Sequence, residues 1–192
     1  MILLAALAAG LVTGLALARW RGVPYQAPDL KHLWLVFVAF LPQYIVFYLF
    51  GDRQNVSALL LPLSQALLLI FVWLNRQLPG MMILLLGTAL NFTVIAANRG
   101  FMPINPQTAS HLVPQAVLEN IQPGERFGTK DILLPTEDTR FEWLADRFLP
   151  PAWSAYQVAF SFGDVLIAFG VFLLLARQGL LQENFYSRGT AI

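Results

Sequence analysis

The chain has 192 residues, of which 57% are hydrophobic and only 12% charged, and its mean hydropathy is +0.62. A water-soluble domain spends about a quarter of its residues on charge, so this composition excludes an ordinary soluble globule, and a net charge of +1 offers nucleic acid no electrostatic footprint. Cysteine is absent, which excludes disulfides, thiolate metal sites and cysteine nucleophiles together.

A bilayer core about 30 Å thick is crossed by a helix of about 20 apolar residues. The first stretch approaching that length is 2–18. In it Ala6, Gly10, Gly14 and Ala18 recur every fourth residue, a strip of small side chains on one helix face. Such strips let helix backbones approach closely. Packing within the chain is the ordinary use of this strip, and a membrane-protein partner or a second copy of the chain is the other. Ala16-Leu17-Ala18 imitates a signal-peptidase site. Arg19 and Arg21 follow it at once and no positive segment precedes it, so an uncleaved anchor fits better than an export signal.

The next spans are 33–50, 56–74 and 80–97, joined by short connections that carry Gly22, Pro24 and Pro28, then Gly51-Asp52, then Pro79-Gly80. Breakers of this kind mark turns, so successive helices are expected to be antiparallel neighbours. Pro42 and Pro62 fall inside the second and third spans, where a proline kinks a helix without forbidding it in lipid. A fifth span is expected over 155–176. Between the fourth and the fifth, residues 98–154 are more polar and hold five basic and seven acidic residues. Two helical pieces are predicted there, one over 107–121 interrupted by Pro114, and an amphipathic one over 139–149 with Phe141, Leu144, Ala145, Phe148 and Leu149 on one side. The segment reads as a surface anchor or a lid on a single membrane domain, 1–192, and as no independent domain.

Positive residues beside spans favour the cytoplasmic side. With the N-terminus outside and the C-terminus inside, Arg19, Arg21, Lys31, Arg76, Arg177 and Arg188 all lie inside, and Arg53 alone among the short loops lies outside. The fold class expected is therefore all-α, a polytopic membrane bundle of five helices, N-out and C-in, surrounded by lipid.

Polar residues near mid-span come out at about 9 to 14 Å below the outer surface for Gln43, Gln65, Asn91 and Asp164, with Thr13 slightly deeper. In hydrocarbon such groups must find partners, so a polar layer that fixes helix register is expected. Asp164 can also ionise, and an intramembrane carboxyl is by default a sign of proton or cation handling. Arg99, at the end of the fourth span, could reach inward to it. His32 and His111 fall on opposite sides and cannot share a metal, and Ser64 and Ser161 lack a membrane-embedded base. Catalytic, cofactor and metal sites are therefore read as none.

Two short patterns, Asn98-Arg99-Gly100-Phe101-Met102-Pro103 and Ser161-Phe162-Gly163-Asp164-Val165-Leu166, resemble the N-x-G-x-M-P and S-x-G-D-x-L of a family of small bacterial membrane proteins of unknown function. Between them Thr139-Arg140, Leu144-Ala145-Asp146 and Pro150 resemble a T-R…L-G-D…P element, with Ala145 in place of the glycine. The resemblance implies a bacterial cytoplasmic membrane and a five-helix layout and brings no activity with it. It also suggests that Asn98, Arg99, Arg140, Asp146 and Asp164 converge on the outer half of the bundle. Three functions compete: a non-enzymatic accessory, assembly or interaction subunit, favoured because no catalytic set is present; a handler of protons, cations or a small solute through Asp164; and an enzyme of the membrane interface.

Overall fold

Apolar sequence and the prolines between its runs dictate helices, and helices dominate. The computed structural model describes residues 2–48, 54–128, 130–151, 153–154 and 157–177. Its long helices are α1 (Ile2–Trp20), α2 (Trp34–Tyr48), α3 (Gln54–Leu74), α4 (Met81–Ala97) and, after a long connection, α7 (Phe162–Ala176). Two stretches, Ile2–Trp20 and Val56–Leu74, are long and apolar enough to cross a membrane, while Met81–Ala97 and Phe162–Ala176 are shorter apolar helices. The end of the expected second span, at 49–50, lies outside the described residues.

The main helix neighbours are α1 with α7, α7 with α4, α4 with α3, and α3 with α2. The last helix thus sits between the first and the fourth. Small residues set both of its contacts. A Cβ added at Gly10 would come within 2.9 Å of the Phe172 carbonyl, and one at Gly14 within 2.5 Å of the Leu175 carbonyl. The strip on α1 therefore faces α7 of the same chain, with Gly10, Gly14 and Ala18 buried. On the other side Gly87 and Gly163 meet, as do Gly80 and Gly170, and the running order shows α4 and α7 antiparallel. Between α2 and α3 the buried Ser64 hydroxyl donates to the Ala39 carbonyl at 2.6 Å, three residues before Pro42. At the opposite end from residues 98–160, Leu35, Phe71, Val72, Met81 and Leu174 form one apolar cluster. There Asn75 clips the connection ahead of α2, accepting from Lys31 N–H at 2.7 Å and donating to Lys31 O at 2.9 Å.

Three corrections fall between α4 and α7. The fifth span was expected from 155, yet its helix starts at Phe162, because Phe160 is used in an antiparallel bridge with Phe148, their rings stacked 5.7 Å apart. The amphipathic helix expected over 139–149 does not form. Short 3-10 turns at Thr136–Asp138 and Glu142–Leu144 replace it, and Phe141 adopts a left-handed φ of 57°. Its backbone groups find partners elsewhere: Asp146 N–H donates to Pro103 O at 3.1 Å, and Phe148 exchanges bonds with Phe160. The piece expected over 107–121 is reduced to two single turns, α5 (Pro106–Ala109) and α6 (Gln115–Leu118), separated at Pro114.

A small sheet, which hydrophobic periodicity did not reveal, organises the segment. Strand β1 (Met102–Ile104) lies parallel to β3 (Asp131–Leu133), and β2 (Arg126–Phe127) lies antiparallel to β3 on its other side. Pro103 is tolerated because β1 is an edge strand, where a missing N–H costs no ladder bond. Ile104, Ala109, Phe127, Leu133 and Ala159 form a core of the segment's own. Two further clusters fasten it to the helices: Phe101, Ile132 and Leu134 against Leu61 of α3, and Met102 and Leu144 against Val94 and Ile95 of α4.

Candidate functional site

The site begins where α4 ends. Asn98 caps the helix, its N–H bonded to the Val94 and Ile95 carbonyls, and the chain then turns through two left-handed residues, Arg99 at φ 57° and Gly100 at φ 83°. Gly100 is needed for that conformation. It also lies against the Ala58 backbone of α3, where a Cβ would have no room. The turn delivers β1 onto β3, with Met102 N–H donating to Lys130 O at 3.0 Å. The buried Asn98 side chain meanwhile holds Arg140, donating to its carbonyl at 2.8 Å and accepting from its N–H at 2.9 Å.

A second group of contacts ties the start of α7 to α4. Ser161 caps α7: its Oγ accepts from Asp164 N–H at 3.0 Å, and Asp164 Oδ2 accepts from Ser161 N–H at 3.1 Å. This reciprocal arrangement satisfies two backbone donors that a helix start otherwise leaves open. Asn91 of α4 completes a ring, its Nδ2 donating to Asp164 Oδ1 at 2.7 Å and its Oδ1 accepting from the Ser161 hydroxyl at 2.8 Å. Asp164 is half-buried in the first turn of its helix. There the helix dipole favours a negative charge, and both carboxylate oxygens have partners.

Beside it lies a charged cluster. Lys130 Nζ stands 2.6 Å from Asp146 Oδ2 and 3.6 Å from Asp131 Oδ1. The Asp146 side chain is fully buried, that of Asp131 is nine-tenths buried, and Lys130 reaches partial exposure at 37%. Asp131 Oδ1 and Asp146 Oδ1 are buried without a hydrogen-bond partner. Burial pushes the Asp146 carboxyl up to about 8, against the opposing pull of the Lys130 ammonium and with the help of the Asp131 and Asp164 charges. Asp131 is also raised by burial, Lys130 again opposing. Burial alone would lower Lys130, but Asp131, Asp146 and Asp164 around it prevail and hold it above its ordinary value.

The residues read as a candidate cluster thus separate into three roles. Asn98 holds the backbone of Arg140, whose position is exposed. Asp146 belongs to the Lys130 cluster and Asp164 to the Asn91 ring, close enough for its charge to act on Lys130. Arg99 is exposed and its guanidinium lies over Gly124. Of the expected polar layer, Asn91 meets Asp164, while no hydrogen bond joins Thr13 or Gln65 to them among the described residues. The side chain of Gln43 lies outside the described residues.

Lys130, Asp131 and the capping role of Ser161 were missed. A signal for the first two existed: Ile132-Leu133-Leu134 is a short apolar run bounded by Gly128 and Pro135, the mark of a buried strand in an otherwise polar connection. Among the described residues no group of three or more His, Asp or Glu is placed to hold a metal ion.

Comparison with known proteins places the chain in a family without adding chemistry. A family model described as a family of unknown function (DUF5317) matches residues 28–176, which begins after α1 and ends with α7. An uncharacterized protein of Thermotoga maritima is 31% identical over 132 residues, covering 66% of this chain and 68% of that protein. No solved structure matches.

Proposed function

The chain belongs to the family of unknown function DUF5317, and within it we propose that it is a multi-pass protein of the bacterial cytoplasmic membrane, acting as a non-enzymatic accessory, assembly or interaction subunit. One observation carries the membrane reading. Only 17% of the apolar window of α1 and 28% of that of α3 is buried inside the protein. A core helix of a soluble protein would be mostly covered. Here Leu4, Val12, Phe37, Leu59 and Leu86 face outward at half exposure or more, on four different helices. Unassociated soluble proteins rarely present apolar surface on this scale, and lipid is the solvent that suits it. A cleaved leader is disfavoured by the fit of Gly10 and Gly14 against α7.

Five spans with N-out and C-in are supported by the alternation of the long helices. Arg19, Arg21, Lys31 and Arg76 accompany the end clipped by Asn75, and the sheet-bearing segment accompanies the other. That distribution follows the positive-inside rule. The accessory reading is supported by the way Asp164 is used: its oxygens are engaged by Asn91 and the Ser161 N–H, as befits a group that sets helix register. Proton or cation handling through Asp164 alone and interfacial catalysis draw less support from such a ring.

The absence of cysteine makes a clean test possible. In intact cells stripped of their outer wall, a membrane-impermeant maleimide should label His111→Cys and should reach Arg21→Cys only after lysis. Labelling of both in intact cells, or release of the chain from membranes by an alkaline wash, would overturn the topology and the membrane assignment respectively. For the accessory role, mild-detergent affinity purification should recover a stoichiometric membrane partner, and repeated recovery of a lone monomer would remove it.

A further inference from the structure

The charged cluster of the outer segment is incomplete as it stands. Two carboxylates and one ammonium leave an excess negative charge in a buried place, and two carboxylate oxygens there, Asp131 Oδ1 and Asp146 Oδ1, have no hydrogen-bond partner. Uncompensated buried charge is expensive, and so is an acceptor without a donor. The other Asp146 oxygen is already taken by Lys130. A single added positive charge carrying one donor would remove both faults.

We propose that Asp131 and Asp146 hold one proton between them, so that the outer segment contains a proton-binding site that locks its strands to the outer ends of α4 and α7. The proton resides on Asp146 Oδ1 and is donated toward Asp131, while Asp146 Oδ2 keeps its bond from Lys130. The cluster is then neutral and both orphan oxygens are satisfied. Among the described residues no third carboxylate is placed to complete a metal site, which favours the proton over a metal ion. The elevated affinity of Asp146 for its proton, raised by burial and by the Asp131 and Asp164 charges, agrees with this placement.

The site matters because of what its two carboxyls are attached to. Asp131 opens β3, paired with Met102 of β1, and Met102 rests on Val94 and Ile95 of α4. Asp146 is bridged to Ile104 of β1, and its N–H donates to Pro103 O. Loss of the proton sets two like charges side by side on segments that flank this short strand. Among the described residues, the charged groups acting on Asp146 are Lys130, just before β3, Asp131 of β3 and Asp164 of α7. Arg126 belongs to the neighbouring β2, and Arg147, next in the chain, is drawn toward Glu142 at 3.5 Å.

The direction of the pH effect follows from linkage. The folded chain keeps a proton that Asp146 at its ordinary value of 3.8 would release in the unfolded chain. Stability from this site is therefore fully present below about 4, declines as pH rises, and levels off above about 8.

Infrared difference spectra of the full chain in lipid vesicles, recorded below and above about pH 8, test the proposal. The expected result is loss of one protonated-carboxyl band per chain as pH rises, with a parallel fall in melting temperature below that midpoint. Asp146→Asn should abolish the band and flatten the pH dependence of melting. If that variant does not fold, Asp131→Asn serves instead, and should move the midpoint down. A band unchanged by both substitutions, no band at all, or melting that follows sodium or calcium concentration instead of pH would overturn the proposal, the last in favour of a metal cation.

Discussion

Asn98 binds Arg140 as one strand binds another, its amide giving and receiving one hydrogen bond each with a backbone unit 42 residues away. Its side chain is also tied to Val94 O at 2.8 Å. One residue therefore joins the end of α4 to the far limb of the outer segment.

Replacing it should release that limb. In Asn98→Ala the Arg140 N–H and C=O lose their partners, at a cost of about 1–3 kcal/mol. Local opening should exceed global loss, so limited proteolysis within 130–151 should accelerate several-fold while the helical circular dichroism of the detergent-solubilised chain changes little.

Gly163 lies against the Asn91 side chain and 2.8 Å, measured from a hypothetical Cβ, from the Gly87 carbonyl. Gly163→Ala should force α4 and α7 apart and break the Asn91–Asp164 bond, costing about 1–3 kcal/mol as overpacking does. A lowered melting temperature in lipid is the readout. Unchanged melting would mean that the two helices are not pressed together at this point.

Asp164 separates charge from geometry. Asp164→Ala removes the cap partner of Ser161 N–H and the acceptor of Asn91, so a loss of about 1–3 kcal/mol is expected. Asp164→Asn keeps one oxygen and turns the other into an amide that cannot accept, so one of the two donors is orphaned and about half of that loss is expected. Equal losses in the two variants would mean that the retained oxygen contributes nothing without the negative charge.

Lys130 supplies a test with a definite sign. Its ammonium favours the ionised form of Asp146, so Lys130→Met should let the carboxyl keep its proton to higher pH. The decline of melting temperature should then extend beyond about 8. Movement of that limit to lower pH would contradict the pairing.

How much of this was legible depends on how far composition alone marks an element. Long apolar runs mark helices, and α1, α3 and α4 begin and end within two residues of where those runs placed them. The stretch before Phe162 carries enough apolar residues to extend the last run, but Ala159 and Phe160 serve the core of the segment ahead of it, and hydropathy alone does not distinguish that use from a longer helix. The strands escaped for a related reason. Met102, Pro103 and Ile104 are all buried, as are Asp131, Ile132 and Leu133, so no alternation of polar and apolar residues marks them. The spacing of Phe141, Leu144, Ala145, Phe148 and Leu149 does separate buried from exposed positions in part, with Leu144 and Ala145 inward and Phe141 outward. Cross-chain bonds from Asp146 and Phe148 outcompete the helix that this spacing suggests. At the site, Asp164 stood out as the lone acid of an apolar run. The meaning of its neighbours Ser161 and Asn91 required knowing where the helix starts.

The position of α7 between α1 and α4 dictates the order in which the molecule is built. The small-residue face of α1 has its complement at Phe172 and Leu175, and Tyr25, just past α1, bonds to a carbonyl 150 residues downstream. During synthesis the glycine face of the first helix therefore lacks its partner until α7 has been made. Truncation before Phe162 would leave that face of α1 uncovered.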